Sequence, residues 1–390
     1  MLSYSSPQMT RATADDLKNS LNELPEEIRS LLATHRFDAA WLLTQAELSR
    51  TGARSNIVTG KVAAPADEDV VTLPDSDTAE YKEFQRIGEA ALRDGSCALA
   101  VLAGGMATRM GGVIKALVPA VFEKTFLELR LQEQKSLGEK YGKVPPLWLM
   151  TSHATHQGIE DALGDALKSP HLRLFRQGLS VRLDESGSVF RDDEGQVSLH
   201  APGHGDFPDS LRSAPFFKEF VDGGGKYLLV TNLDNLGGGL DPALIGMHMA
   251  NDCAVTCEVV DKVGSDRGGI PARLDSRPVV LEEFRIPPSF DPQTVPVFNV
   301  NSFAFDAPAL LGLEMEWTYF EVKKKVSGRT AIQYERLINE VTFELDTQYL
   351  RVPRTGKASR FLPIKDHDEL ARRQDELKEL VQARGMTESK

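Results

Sequence analysis

Apolar residues along this chain change their spacing from one region to the next. Between Thr13 and Arg50 they recur every three or four positions. Leu17, Leu21 and Leu24 share one helical face opened by Asp15-Asp16, and Ile28, Leu31 and Leu32 follow Pro25-Glu26-Glu27. Acidic residues in a first turn and proline at a helix start both suit the unpaired N–H groups there, so the region reads as two helices. Residues 51–76 are rich in Thr, Ala, Pro and Asp, show neither helical nor strand period, and read as a linker ending near Pro74-Asp75-Ser76. A further helix spans about Thr78 to Arg93.

From there short, continuous apolar runs alternate with helical patterns. Cys97–Leu102, Pro146–Met150, Leu172–Phe175, Lys226–Val230 and Ala254–Val260 read as strands, while Thr125–Tyr141 and Gln157–Lys168 read as helices. Unbroken apolar strands belong to sheets covered on both faces. The alternation predicts an α/β fold with a doubly wound, mixed but mostly parallel sheet, Rossmann-like, preceded by an N-terminal helical segment. The expected organisation is a helical segment and linker at 1–76, a main domain at 77–370 and a C-terminal helical tail at 371–390. In such sheets ligands sit beyond the carboxyl ends of the strands. Leu102-Ala103-Gly104-Gly105, Thr151-Ser152, Gln177 and Asp234 all fall just past strand ends and are expected to share one cleft.

Composition narrows the function classes. The 390 residues carry 45 Lys and Arg against 57 Asp and Glu, a net charge of -12, which argues against general nucleic-acid binding. Cys97, Cys253 and Cys257 offer poor zinc spacing and read as buried thiols of a reducing compartment. Met1 to Thr10 lacks the apolar core of a signal peptide, and no run reaches the length of a membrane span. A cytoplasmic protein without membrane partners is expected.

The chemistry concentrates in a few strings. Gly104-Gly105 and Gly111-Gly112, with Arg109 between them and Lys115 just behind, suit a polyphosphate: glycines let backbone N–H groups approach oxygens, and the cations offset charge. The spacing matches neither the dinucleotide fingerprint nor the P-loop, and a plain strand-to-helix turn stays open. Asp234, in Asn232-Leu233-Asp234-Asn235, is placed to hold Mg2+ against phosphate oxygens, or else caps its strand as an Asx turn. Ala201-Pro202-Gly203-His204-Gly205-Asp206 reads as a glycine-walled slot for a flat base, with His204 donating to sugar or phosphate. His200, His204 and Asp206 lack the further ligands a zinc site needs. His153 and His156 read as a solvated helix start. Asn299 and Asn301 fall on one face of a strand and, with Glu282, suit hydroxyl-rich ligands. Lys262 and Lys365 follow strand-like runs and can reach phosphate, whereas Lys323-Lys324-Lys325 reads equally as a solvated face.

In this order the strings resemble the UTP–glucose-1-phosphate uridylyltransferase (UDP-glucose pyrophosphorylase) family of the eukaryotic type, over about residues 95–370. Further agreement comes from Leu149-Met150-Thr151-Ser152, Phe175-Arg176-Gln177, Gly268-Gly269, Ile332-Gln333-Tyr334-Glu335 and Arg360-Phe361-Leu362-Pro363-Ile364-Lys365. The resemblance implies a nucleotide-diphospho-sugar transferase fold in which the main domain is a nucleotidyltransferase catalytic domain. Its substrates would be UTP and a hexose 1-phosphate, foremost glucose 1-phosphate, and its cofactor Mg2+ on Asp234. Leu102, Ala103, Gly104 and Gly105 would hold the uridine, Gln177 and Gly203 would read uracil, and Lys115, Lys365 and Arg109 would be catalytic. His204, Lys262, Gly269, Glu282, Asn299 and Asn301 would serve the sugar phosphate. Two alternatives are a UDP-N-acetylglucosamine or broad UDP-sugar pyrophosphorylase, and a non-catalytic nucleotide-sugar-binding protein. The chain departs from the family at Ala107, where a glycine is usual, and at Ile114, where a proline precedes the loop lysine. It ends at Lys390 where eukaryotic relatives continue into a C-terminal β-helix, so a monomer or weak oligomer is expected.

Overall fold

The computed structural model describes residues 12–264 and 266–387; Met1–Thr10, read above for a leader, lies outside them. Two compact units form, each assembled from separated stretches of chain. The smaller takes the described residues up to Asn56, then Gln177–Asp206 and Trp317–Leu337; the larger takes Ile57–Arg176, Phe207–Glu316 and the described residues from Ile338 onward.

The smaller unit begins with three helices, α1 (Ala14–Asn22), α2 (Glu26–Thr34) and α3 (Ala39–Thr51), where the apolar spacing predicted two. The extra break has a local cause. Arg36 adopts a left-handed φ of 57°, and the Asp38 side chain accepts the Trp41 N–H to start α3 afresh. Thr13 and Asp16 form a capping box on α1, which explains the acidic opening. Leu17, Leu21, Leu32 and Leu42 bury against Leu179, Val181, Leu183 and Tyr334, so the helices share a core with residues from two distant stretches. The hairpin Phe320–Val326/Arg329–Glu335 carries Lys323, Lys324 and Lys325.

The larger unit is built on eight strands: β1 (Val70–Thr72), β2 (Cys97–Leu102), β3 (Leu147–Thr151), β4 (Leu172–Arg176), β5 (Tyr227–Asn232), β6 (Val255–Asp261), β7 (Val297–Asp306) and β8 (Thr347–Arg351). Their spatial order is β1-β8-β6-β7-β5-β2-β3-β4, with β7 alone antiparallel to its neighbours. This is the mixed, mostly parallel α/β sheet expected. Residues 51–76 are not a free linker. Val70–Thr72 pairs with β8 at the sheet edge, and Val62–Ala63 pairs with Arg273 and Leu274. Strands of two or three residues are too short to show a period.

The helices of the larger unit include α4 (Ala79–Asp94), α5 (Phe126–Tyr141), α6 (His156–Leu163), α7 (Pro242–Asn251) and α8 (Gln374–Ala383). Glycines bring α4 and α7 together. A Cβ on Gly88 would stand 1.9 Å from the Pro242 carbonyl oxygen, and one on Gly246 1.9 Å from that of Phe84, so neither position tolerates a side chain at this spacing. In-register pairing sets Leu102 directly beside Asn232, so β2 and β5 end together. Among the described residues no helix is long and apolar enough to cross a membrane.

Candidate active site

Because β2 and β5 end side by side, the glycine loop and the Asp234 turn leave the sheet at one place. Lys115 Nζ donates to Asp234 Oδ2 at 2.5 Å, with both side chains less than one-fifth exposed. The loop does not turn straight into a helix. Met106-Ala107 pairs with Val113-Ile114 in a short hairpin closed by Gly111 and Gly112, whose φ angles of 85° and 76° are left-handed. Gly112 N–H donates to Ala107 O at 2.9 Å and Lys115 N–H to Gly105 O at 3.3 Å. This hairpin presents Lys115. Ser152 Oγ fastens the loop base by donating to Gly104 O at 2.9 Å, and Thr155 Oγ1 donates to Ala103 O at 3.1 Å. Arg109 is exposed at the hairpin tip. Ile114 packs its Cδ1 where a Cβ on Gly158 of α6 would stand 2.4 Å away.

The residue after Asp234 holds the turn. Asn235 Nδ2 donates to Arg360 O at 3.0 Å, its Oδ1 accepts Leu362 N–H at 2.9 Å, and its own carbonyl accepts Arg130 Nη2 at 2.6 Å. The Arg360-to-Lys365 string is thereby tied to the same strand end, and Lys365 itself is exposed.

Beside that end, Asn301 Nδ2 donates to Asn232 Oδ1 at 2.9 Å. Asn299 Oδ1 accepts the Asn301 N–H at 2.8 Å and faces Cys257 Sγ at 3.2 Å. Asn299 and Asn301 do not sit on a regular strand as expected. The register shifts between Cys257 and Val259, and Asn301 takes a φ of 57°. Such a bulge re-aims side chains. Gly269 O accepts Asn299 N–H at 2.8 Å, and a Cβ on Gly269 would meet Glu282 Oε1 at 2.8 Å. Burial, then the nearby carboxylates of Glu340 and Glu283, push the Glu282 carboxyl up to about 7. Lys262 Nζ donates to Pro292 O at 2.8 Å, and burial holds its ammonium below the usual lysine range.

Gln177, Gly203 and His204 belong to the smaller unit. Gln177 Nε2 donates to Gly203 O at 3.1 Å, and burial lowers the His204 imidazole to about 4, leaving it neutral at pH 7. On the side where a Cβ would project, Gly203 and Gly205 lie against backbone. A Cβ at Gly203 would be 2.7 Å from Arg336 O. Asp206 proves to be a clamp. Its carboxylate accepts Gly178 N–H at 2.5 Å, Arg36 at 2.9 Å and Arg336. His200 is buried with Nδ1 2.9 Å from Ala201 O. His156 Nδ1 meets Thr151 Oγ1 at 2.8 Å in the interior, not at a solvated helix start. Lys323 to Lys325 lie on an exposed hairpin strand, with Lys325 bonded to Thr330 at 3.0 Å.

The pattern of UTP–glucose-1-phosphate uridylyltransferases matches residues 42–389. The chain belongs to that family. Relatives within it include UTP–glucose-1-phosphate uridylyltransferase 2 of Dictyostelium discoideum, 28% identical over 324 residues, a match covering 78% of this chain and 64% of that protein. The enzyme of the same name from Encephalitozoon cuniculi is 28% identical over 372 residues, covering 90% and 71%. Among solved structures, a point mutant of Leishmania major UDP-glucose pyrophosphorylase superposes with a TM-score of 0.70 at 21% identity, covering 92% of this chain and 78% of that one. The Trypanosoma brucei UDP-N-acetylglucosamine pyrophosphorylase gives 0.73 at 18% identity, covering 95% and 81%. These two likenesses establish the fold that uridylyltransferase-family members share with other UDP-sugar pyrophosphorylases.

Proposed function

We propose that this chain is a Mg2+-dependent uridylyltransferase that joins UTP to glucose 1-phosphate, forming UDP-glucose and pyrophosphate. The observation that supports it most is the Lys115–Asp234 pair at the adjoining ends of β2 and β5, set by a glycine-rich hairpin. A phosphate oxygen of the sugar phosphate attacks the α-phosphorus of UTP in line. The bond from that phosphorus to the bridging oxygen breaks, and pyrophosphate leaves with its electron pair. The nucleophile is already an anion, so no covalent enzyme intermediate and no general base is needed. Catalysis then consists of positioning and charge neutralisation, with Lys115 reaching the triphosphate and Lys365 and Lys262 the outer phosphates.

The donor set fits Mg2+. Asp234 offers one carboxylate, and no group of three His, Cys, Asp or Glu side chains gathers among the described residues. Mg2+ accepts one carboxylate when phosphate oxygens and water complete its shell, whereas zinc sites use three or more protein ligands. Asp234 would hold the ion, which would supply charge neutralisation at the phosphates. In the sugar pocket, Glu282, Asn299 and Asn301 offer acceptors and donors to hydroxyls. A cytoplasmic setting is part of the same proposal and is supported by three free thiols.

The test is pyrophosphate release from UTP across a panel of sugar 1-phosphates. Release that is fastest with glucose 1-phosphate supports the assignment. Preference for N-acetylglucosamine 1-phosphate would replace the sugar, and tight UTP binding without release would replace the reaction.

A further inference from the structure

The larger unit has an opening that none of the candidate active-site residues lines, apart from Arg360, whose backbone carbonyl alone serves the Asp234 turn. This cleft of about 580 Å³ lies among α4, α5, the start of α7 and the end of α8, and Tyr81, Tyr141, Asp241, Arg360 and Arg384 are on its wall. Arg360 is only 1% exposed. Its Nε and Nη2 grip Glu258 at 2.7 and 2.5 Å, and Nη2 also donates to Gly239 O at 3.1 Å. Its Nη1 has no hydrogen-bond partner, and the Asp241 carboxylate stands 3.9 Å away. Asp241 Oδ1 caps α7 through the N–H groups of Ala243 and Leu244, and it is Oδ2 that faces Arg360. Arg384, which ends α8, has a buried Nε that is likewise unpartnered.

The other interior cations nearby are matched one to one. Arg130 pairs with Glu133 at 2.7 Å and Arg360 with Glu258, while Arg384, only partly buried, makes no direct ion pair among the described residues and feels the Asp241 and Glu133 carboxylates at longer range. Burial, then repulsion from Arg360, lowers the Arg384 guanidinium to about 10. Orphaned buried N–H donors are costly, and an incoming acceptor relieves that cost. Lys140 and Lys357 add positive charge on a wall that also carries Asp75, Glu133 and Asp241, and Leu73, Leu137 and the two tyrosines give it apolar surface.

We propose that this cleft binds a small anionic metabolite, its phosphate or carboxylate group taken by Arg384 and by Nη1 of Arg360. The tyrosine and leucine wall accommodates the rest of the molecule. Binding here is independent of uridylyl transfer.

Calorimetric titration of the full chain with inorganic phosphate, and separately with citrate, tests it. Arg384→Met is expected to weaken the bound probe about tenfold or more, as loss of a charge-assisted hydrogen bond does. Lys357→Glu, at an exposed position, should weaken it several-fold without disturbing the fold, and so covers the case in which Arg384→Met fails to fold. Lys115→Ala should leave this binding in place. Tighter binding of phosphate identifies a phosphorylated ligand, and tighter binding of citrate a carboxylate. The proposal is overturned if neither probe binds at millimolar concentration. It is overturned equally if binding survives both cleft variants, or is lost in Lys115→Ala instead.

Discussion

Gly105, Gly111 and Gly112, in the loop after β2, face open space: a Cβ on any of them would meet nothing within 4 Å. Gly203 and Gly205, in the smaller unit, face the chain itself. A Cβ at Gly203 would stand 2.7 Å from Arg336 O, and one at Gly205 would stand 2.4 Å from both Arg336 C and Leu337 N. One residue type thus serves two ends. In the second region glycine lets two backbone stretches touch, and Gly205 N–H donates to Arg336 O at 2.9 Å across that contact. In the first, Gly111 and Gly112 are required by their positive φ angles, but Gly105 has neither a positive φ nor a crowding neighbour. Gly105 thus leaves open the space that the proposed close backbone approach to a phosphate-bearing ligand needs.

The largest effect should come from the charges beside the open loop. Under the proposed reaction, Lys115→Ala and Asp234→Ala should each lower kcat by roughly 10²–10³, the usual loss for one electrostatic group acting in the transition state. Both variants should keep the wild-type circular-dichroism spectrum. Near-normal turnover at saturating Mg2+ in both would remove the chemistry from this side of the comparison. Next comes the closed region. Gly205→Ala should cost about 1–3 kcal/mol, because backbone must shift to admit a methyl group. A lowered midpoint in urea denaturation measures it. The open loop should respond in the opposite way. Gly105→Ala should change stability by less than about 0.5 kcal/mol, as at uncrowded positions generally, while raising KM for UTP several-fold. If Gly105→Ala unfolds the chain as readily as Gly205→Ala, the distinction between the two regions is lost.

The open region was the more legible in sequence. Cys97–Leu102 and Lys226–Val230 read as strands, and a strand's carboxyl end is a known place for ligands, so the sequence puts the glycine loop and Asp234 in one cleft, though it does not show the Lys115–Asp234 ion pair itself. The closed region was not. Pro202-Gly203-His204-Gly205-Asp206 reads as an open slot until Arg36 and Arg336 arrive, 170 and 130 residues distant from Asp206, and no local pattern encodes partners that far apart. The same limit hid Asn235, whose partners lie at Arg360 and Leu362, and the edge strand at Val70–Thr72, which pairs with β8. The bulge at Asn301 escaped because alternation predicts a regular strand, and the shift depends on the pairing of β6 with β7. Arg384 gave no signal at all, since an orphaned buried N–H shows only once its neighbours are in place.

Gly269 falls between the two cases and gives the smallest and most specific expectation. Its missing Cβ is opposed by neither solvent nor backbone but by a side chain, Glu282 Oε1 at 2.8 Å. With burial and two acidic neighbours lifting its carboxyl from 4.5 to about 7, the folded chain retains a proton there that the unfolded chain has lost. Between those values the native state binds more protons, so Glu282's contribution to stability is complete below about 4.5 and disappears as pH rises through 7. Glu282→Gln, permanently uncharged, should therefore gain in Tm relative to wild type as pH climbs from 5 to 7, and the difference should level off above 8. If the Tm difference is flat across that range, the carboxyl is not held protonated beside Gly269. The same ionisation bears on binding in the proposed sugar pocket. A carboxylate accepts from hydroxyls more strongly than the protonated acid, so wild-type KM for glucose 1-phosphate should fall modestly as pH passes 7, while that of Glu282→Gln should not follow.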